Sequence, residues 1–300
     1  MRILILGPSG QIGYELARQA IALGTVITAG RSAADIIMDP LDNSALTTLF
    51  NEAKPDIVIN AIAYTAVDKA ESEIDTAFKL NTDLPAALAD ECSKINSLLI
   101  HYSTDFVFDG AQNTPWIESA ATNPLSVYGR SKLAGEKAIQ MASCPSLILR
   151  TSWVYGERGT NFLLTMLRLA SEREALAVVE DQVGSPSCSN DIAQATLLLC
   201  KRYIKEPEYV SANRGIYHLT ASGQTSWYGF AKAIFELAGL KEPLKIKDLS
   251  AISSAQYPTA AVRPPYSVLN CAALKETFNV ELTDWHLALE NCLKRYYLDK

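Results

Sequence analysis

Ile3-Leu4-Ile5-Leu6-Gly7-Pro8-Ser9-Gly10-Gln11-Ile12-Gly13 is the stretch on which the fold turns. Its first four residues form an apolar run of strand length. Gly7-Pro8-Ser9-Gly10 breaks the run, and residues 11–23 then place Ile12, Leu16, Ala20 and Leu23 on one helical stripe. Strand, glycine turn and helix in that order make a phosphate-binding unit. Gly7, Gly10 and Gly13 let the backbone turn sharply, approach a pyrophosphate and pack helix against strand. Free N–H groups at Gln11 and Ile12 open the helix toward an anion. The spacing is G-x-x-G-x-x-G rather than G-x-G-x-x-G, so the placement between strand and helix carries the reading of a dinucleotide site.

Outward from this unit the pattern repeats. Residues 26–29, 57–61, 98–102 and 147–150 read as further apolar strands. Residues 44–53 and 84–94 read as helices, as does a stretch from Asn123-Pro124 to about residue 141, with Asn123 as N-cap and Pro124 in the first turn. Fully apolar strands separated by helices predict a parallel sheet covered on both faces. Further on the order is less regular. Helices fall at 161–172, 190–204, 226–238 and 283–296, strands at 216–220 and 244–246, and a proline-bearing loop over 250–266. The expected fold class is α/β, a Rossmann-type doubly wound parallel sheet with a smaller α/β substrate-binding lobe. Residues 1–155 supply mainly the dinucleotide-binding domain and 156–300 mainly the second lobe, with segments crossing back.

Composition narrows the function classes. A chain of 300 residues can bury about three-quarters of its unfolded surface in one or two domains. Hydrophobic residues at 48% and charged residues at 20% exclude a disordered or fibrous chain. A net charge of −6 offers no basic surface for a nucleic acid backbone. No apolar run is long enough to span a bilayer, and the run before Gly7 is too short for a signal core. Six scattered cysteines and three histidines form no metal motif, so reduced, buried thiols in a cytoplasmic protein are expected.

Ala29-Gly30-Arg31-Ser32, at the end of the second strand, selects the cofactor. An acid there would hold the ribose 2′-hydroxyl of NAD. Arg31 and Ser32 suit the 2′-phosphate of NADPH, unless Arg31 is only an exposed loop cation, and NADH stays open. Asp35 and Asp39 are badly spaced for a ribose acid, and Asp39-Pro40 fits the adenine edge. Tyr128-Gly129-Arg130-Ser131-Lys132 sets a phenol and an ammonium on one helix face, about 6 Å apart at their base. A phenol of ordinary pKa near ~10 is a poor acid–base group at neutral pH, and a nearby ammonium moves it toward useful range. The preceding strand ends His101-Tyr102-Ser103-Thr104-Asp105, where a parallel sheet places its active site. Thr104 there either bonds a substrate oxygen and tunes the tyrosine, or satisfies local backbone.

The glycine turn, Ser103-Thr104-Asp105 and Tyr128-x-x-x-Lys132 together resemble the extended short-chain dehydrogenase/reductases. Residues 60–71, 103–110, 150–156, Asn161-Phe162, 181–186 and 215–219 are similar to the dTDP-4-dehydrorhamnose reductase family, nearly end to end. The resemblance implies NADPH-dependent reduction of the C4 ketone of a dTDP-sugar, dTDP-4-dehydro-β-L-rhamnose, to dTDP-β-L-rhamnose. Tyr128 would protonate the developing alkoxide, Lys132 would lower its pKa and bind the nicotinamide ribose, and Thr104 would hold the oxygen. The same resemblance puts Ala61, Ala63, Tyr64, Thr65 and Tyr102 beside the cofactor. It puts Asp105 and Trp153 at the sugar and Arg263 at the pyrophosphate. A core aromatic and a surface arginine are the alternatives for Trp153 and Arg263.

Departures from the family pattern matter as well. Phe106 stands where sugar-nucleotide 4,6-dehydratases carry a glutamate base, which favours reduction over elimination. Ser187 replaces the threonine common after Pro186. Some relatives dimerise through Mg2+ held by a helix glutamate and an acidic pair. Glu15 and Asp191 match two of those positions, but Asn190 takes the third, so a metal-bridged homodimer would lack one charge. Another sugar-nucleotide reductase or epimerase, or a non-catalytic regulatory relative, could share the scaffold.

Overall fold

The computed structural model describes residues 1–298. The first half runs β1 (Arg2–Leu6), α1 (Gln11–Gln19), β2 (Thr25–Gly30), β3 (Ile36–Ile37), α2 (Asn43–Ala53) and β4 (Ile57–Asn60). The short α3 (Val67–Ala70) and α4 (Ile74–Phe78) follow, then α5 (Leu84–Ile95), β5 (Leu98–Thr104), α6 (Val127–Met141) and β6 (Ser146–Thr151). The second half begins with β7 (Val154–Tyr155), α7 (Phe162–Glu172), β8 (Ala175–Val179), β9 (Val183–Gly184), β10 (Ser187–Cys188) and α8 (Ser189–Lys205). It continues with α9 (Pro207–Ala212), β11 (Gly215–His218), β12 (Thr225–Ser226), α10 (Trp227–Gly239), β13 (Asp248–Ile252), α11 (Ala272–Phe278) and α12 (Trp285–Leu298).

Seven strands form one parallel sheet in the order β11-β6-β5-β4-β1-β2-β3. From β1 the chain winds first toward β2 and then back to β4, which opens a crevice at the carboxyl ends of β1 and β4. Side-chain alternation along β1 builds both layers. Ile3 and Ile5 pack with Leu16 of α1 and Ile192 and Leu199 of α8. Leu4 and Leu6 pack with Leu46 and Leu49 of α2 and Leu88 of α5. Each such fully buried side chain stabilises the sheet by about 1.5–3 kcal/mol. Late segments return to this domain: β11 is its outer strand, and α8 lies on α1. The second lobe pairs β8 with β13 in parallel and packs α7, α10 and α12 around Leu163, Phe230, Ile234 and Leu289.

Three local expectations change. The first helix ends at Gln19 and passes into a 3-10 turn, Ala20–Leu23. Helix α6 begins at Val127 rather than at Pro124. The Ser126 hydroxyl caps it by accepting the Gly129 N–H at 3.1 Å, while Asn123 is drawn away to Asp109, Nδ2 to Oδ2 2.9 Å. Residues 244–246 are not a strand, because the Lys245 and Ile246 N–H groups both donate to the Ala170 carbonyl. The strand forms instead at Asp248–Ile252, running into the expected loop, where β8 supplies a partner. Among the described residues no helix is long and apolar enough to cross a membrane. All six cysteines are free.

Candidate active site

Gly7, Gly10, Arg31, Ser32, Pro40, Ala61 and Ala63 meet around a cleft of about 190 Å³ at the ends of β1, β2 and β4. Gly7 has φ +81°, and a Cβ there would lie 2.8 Å from Ile62 Cγ1. A Cβ on Gly13 would lie 2.0 Å from the Gly7 carbonyl oxygen, so Gly13 sets the approach of helix to turn rather than touching the cleft. Ser9, Gly30 and Ile62 also line the cleft and were missed by sequence reasoning. The places of Ser9 within the turn and Gly30 at the strand end were the available signals.

Other expected cofactor residues are committed elsewhere. The Gln11 side chain turns to the second lobe, its Oε1 accepting from Asn161 Nδ2 at 2.9 Å, and Ile12 packs into the core. Asp39 accepts the Leu41 N–H at 3.1 Å, and the Tyr64 hydroxyl donates to Glu73 at 2.7 Å. Thr65 is exposed. Asp35 accepts both the N–H and the hydroxyl of Thr28, at 2.9 and 2.8 Å, so it folds back on β2. The Tyr102 side chain does not face the cofactor cleft. Its ring lies in the core with its hydroxyl 2.7 Å from Thr196 Oγ1, and its carbonyl alone reaches the catalytic lysine.

Tyr128 and Lys132 occupy the first turns of α6 against the end of β5. The Thr104 hydroxyl is hydrogen-bonded to the Tyr128 phenol. It also donates to Asp105 Oδ1 at 3.0 Å and accepts the Phe106 N–H at 3.2 Å. Sequence reasoning expects Lys132 to pull the tyrosine down, and in the site burial works against that pull. Burial pushes the phenol up to about 12 against the Thr104 hydrogen bond, with a further push from Asp105. Burial also pulls Lys132 down to about 8, against the nearby charge of Glu136. Tyr128 therefore rests as a neutral acid, the form a carbonyl reduction uses. Lys132 Nζ donates to the Tyr102 carbonyl at 2.5 Å and stands 3.1 Å from His101 Nε2.

Burial raises Asp105 to about 6, with the Ser267 and Thr104 hydroxyls opposing. Asp105 Oδ2 and Ser103 Oγ are buried without a partner in good hydrogen-bonding geometry. Such groups beside an acid–base pair are suited to a polar substrate. Trp153, at the end of β6, has φ +47° and stacks flat on Trp227 with ring centroids 3.5 Å apart. Trp227, Phe162, Met166, Gln182 and Arg263 line a cavity of about 720 Å³. Sequence reasoning missed Trp227, whose only signal is a large aromatic just after the Ser226 cap. The Arg263 guanidinium binds Asp68 at 2.7 and 3.1 Å and holds its carboxyl below the usual range. It thus ties the C-terminal loop to the segment 60–71.

The magnesium set does not fit. Glu15 Oε2 already accepts from Arg18 at 2.9 Å, Gln19 at 2.9 Å and Asn190 Nδ2 at 3.1 Å. Asn190 presents its nitrogen to Glu15, and its oxygen accepts from Gln194 at 3.0 Å. Among the described residues the one group of three or more His, Cys, Asp or Glu residues with ligand atoms within 4.8 Å of each other is Glu157, Cys188 and Cys292. Arg295 takes the cationic place there, 2.5 Å from Glu157 and 3.4 Å from Cys188 Sγ.

A parallel doubly wound sheet, a glycine-lined cleft at its switch point and a Thr–Tyr–Lys group at the end of β5 and the start of α6 define an extended short-chain dehydrogenase/reductase. The family described as RmlD substrate binding domain matches residues 1–298. The dTDP-4-dehydrorhamnose reductase of Burkholderia thailandensis is 42% identical over 297 residues, covering 98% of each chain. A crystal structure of a dTDP-4-dehydrorhamnose reductase from Clostridium acetobutylicum superposes with a TM-score of 0.89 at 36% identity over all of both chains. That of the Bacillus anthracis enzyme in complex with NADP gives a TM-score of 0.86 at 31% identity, over 100% of this chain and 99% of that one. The chain belongs to the dTDP-4-dehydrorhamnose reductase family.

Proposed function

We propose that this protein, working in the cytoplasm, uses NADPH to reduce the C4 ketone of dTDP-4-dehydro-β-L-rhamnose to dTDP-β-L-rhamnose. The observation that carries the reading is the placement of Tyr128 and Lys132 in the first turns of α6, against Thr104 at the end of β5. Bound in the glycine cleft, NADPH supplies a hydride to the ketone carbon. Tyr128 gives its phenolic proton to the carbonyl oxygen as negative charge builds there, and the Thr104 hydroxyl orients that oxygen. Lys132 offsets the charge left on the phenolate. Phe106 presents no base for a C5 proton, so elimination lacks its engine.

The cavity of about 720 Å³ takes the nucleotide. Trp227 and Phe162 offer an apolar wall for the base, and Arg263, anchored by Asp68, sets a guanidinium on the wall where the diphosphate would lie. Arg31 is exposed at the rim of the cofactor cleft. Losing a charged hydrogen bond to the 2′-phosphate costs about 1.5–3 kcal/mol, roughly tenfold or more in affinity. Arg31→Ala should therefore weaken NADPH by that factor and leave NADH nearly unchanged in a fluorescence titration. Equal losses for both cofactors would move the 2′-phosphate away from Arg31.

The decisive experiment follows NADPH absorbance with enzymatically generated dTDP-4-dehydrorhamnose. Substrate-dependent oxidation is expected. Folded protein that consumes no NADPH would reject the reductase reading, and interconversion of sugars with NAD retained through turnover would mark an epimerase instead.

A further inference from the structure

Asn60, at the end of β4, is the register partner of His101 on β5, and both side chains are buried. Asn60 Oδ1 accepts the Ile62 N–H at 3.0 Å, which fixes the orientation of the amide. Asn60 Nδ2 therefore faces His101 Nδ1, 3.0 Å away. An amide nitrogen only donates, so Nδ1 must be the acceptor. A neutral imidazole carries one N–H, which this contact leaves on Nε2. Nε2 stands 3.1 Å from Lys132 Nζ. An ammonium has no lone pair to receive that N–H, whereas an amine has one.

We propose that Asn60 and His101 form a tautomer lock behind Lys132, in which Asn60 holds the imidazole proton on Nε2 and that N–H favours the uncharged amine of Lys132. His101 is then a positioning residue for the reductase reaction proposed above, setting how readily Lys132 keeps its charge. Burial, and after it Lys132, holds His101 well below the ordinary histidine range, so the ring stays neutral near neutral pH. The other groups facing Lys132 are few. From β5 comes the Tyr102 carbonyl. From α6 comes Glu136, held by Arg150 of β6. From β4 comes only the uncharged Asn60.

The reaction needs the Lys132 charge, so turnover should fall as pH rises through the Lys132 pKa, which the lock keeps low. In Asn60→Asp the new carboxylate can only accept. The proton moves to Nδ1, Nε2 becomes an acceptor, and the Lys132 ammonium gains a partner. An opposite charge or a hydrogen bond to the charged form raises such a pKa by about one unit or more.

The test is 15N-histidine NMR of the substrate-free protein, whose three histidines are separable once a His101→Gln variant assigns the signal. Wild type should show His101 as the neutral Nε2–H tautomer, and Asn60→Asp the Nδ1–H tautomer. In the same samples the 13Cε titration midpoint of Lys132 should rise by about one unit in Asn60→Asp, and the alkaline limb of the pH–rate profile should move up with it. A wild-type Nδ1–H tautomer would overturn the lock, even if Asn60→Asp failed to fold. A flipped tautomer with an unmoved Lys132 midpoint would overturn its hold on Lys132. Both NMR readouts need no substrate, so a chain with the lock but no ketone reduction would refute the reductase reading alone.

Discussion

Tyr128→Phe is expected to lower turnover of the ketone by about 10²-fold or more while NADPH affinity and thermal stability stay close to wild type. The change removes one oxygen and keeps the ring, so the edge contact with Phe106, centroids 5.6 Å apart, survives. The hydroxyl of Thr104 still has Asp105 as acceptor and the Phe106 N–H as donor, so no buried polar group is orphaned. What disappears is the proton that must reach the alkoxide. Loss of a positioned general acid costs about 10²–10⁴-fold, because only interactions made in the transition state vanish. Stopped-flow NADPH oxidation, with cofactor binding followed by fluorescence, separates the outcomes. Wild-type turnover would remove Tyr128 from the chemistry. A joint loss of NADPH binding and melting temperature would make its role structural.

Much of this site was legible because its chemistry is tied to local patterns. Gly7 to Gly13 must meet backbone constraints within one turn, so they mark themselves. Tyr128 and Lys132 share a helix face whether the helix begins at Pro124 or at Val127, so the misplaced cap did no harm. The errors fall where a distant partner decides. Tyr102 reads as a strand-end residue beside the cofactor, yet Thr196, nearly a hundred positions away, draws its hydroxyl into the core. Residues 248–252 are too short and too polar to stand out beside the proline-bearing loop, and form a strand because β8 lies alongside. The low proton affinity of Lys132 and the raised one of Tyr128 come from burial among elements that converge only in three dimensions. Asn190 was the informative departure. Its side chain donates to Glu15 within the chain, so the Glu15 carboxylate that a cation would need is already internally satisfied.

Glu136→Gln should destabilise the fold by about 3–5 kcal/mol, the usual effect of breaking a buried ion pair on one side. Arg150 and Glu136 are 2% and 1% exposed, and they bond in a two-pronged fork at 2.8 and 2.7 Å. The guanidinium also lies 5.0 Å from the centre of the Phe108 ring. Its remaining neighbour, His218 at 3.5 Å, is neutral, since burial and then Arg150 itself pull it down to about 3. Glutamine would thus leave a desolvated cation without its ion-pair partner. The melting temperature should fall by roughly 6 °C or more. Removing both charges is a different experiment. Glu136→Leu with Arg150→Met leaves no buried charge behind, and such replacements are often neutral or stabilising. The double variant should recover most of the lost stability. Activity should not return with it. Glu136 lies one turn beyond Lys132 on α6 and favours its charged form, so without Glu136 the lysine loses its proton at lower pH. Recovered melting with an alkaline limb shifted to lower pH would show that one carboxylate both anchors α6 to β6 and supports the catalytic ammonium. A single variant that melts like wild type would refute the anchoring role.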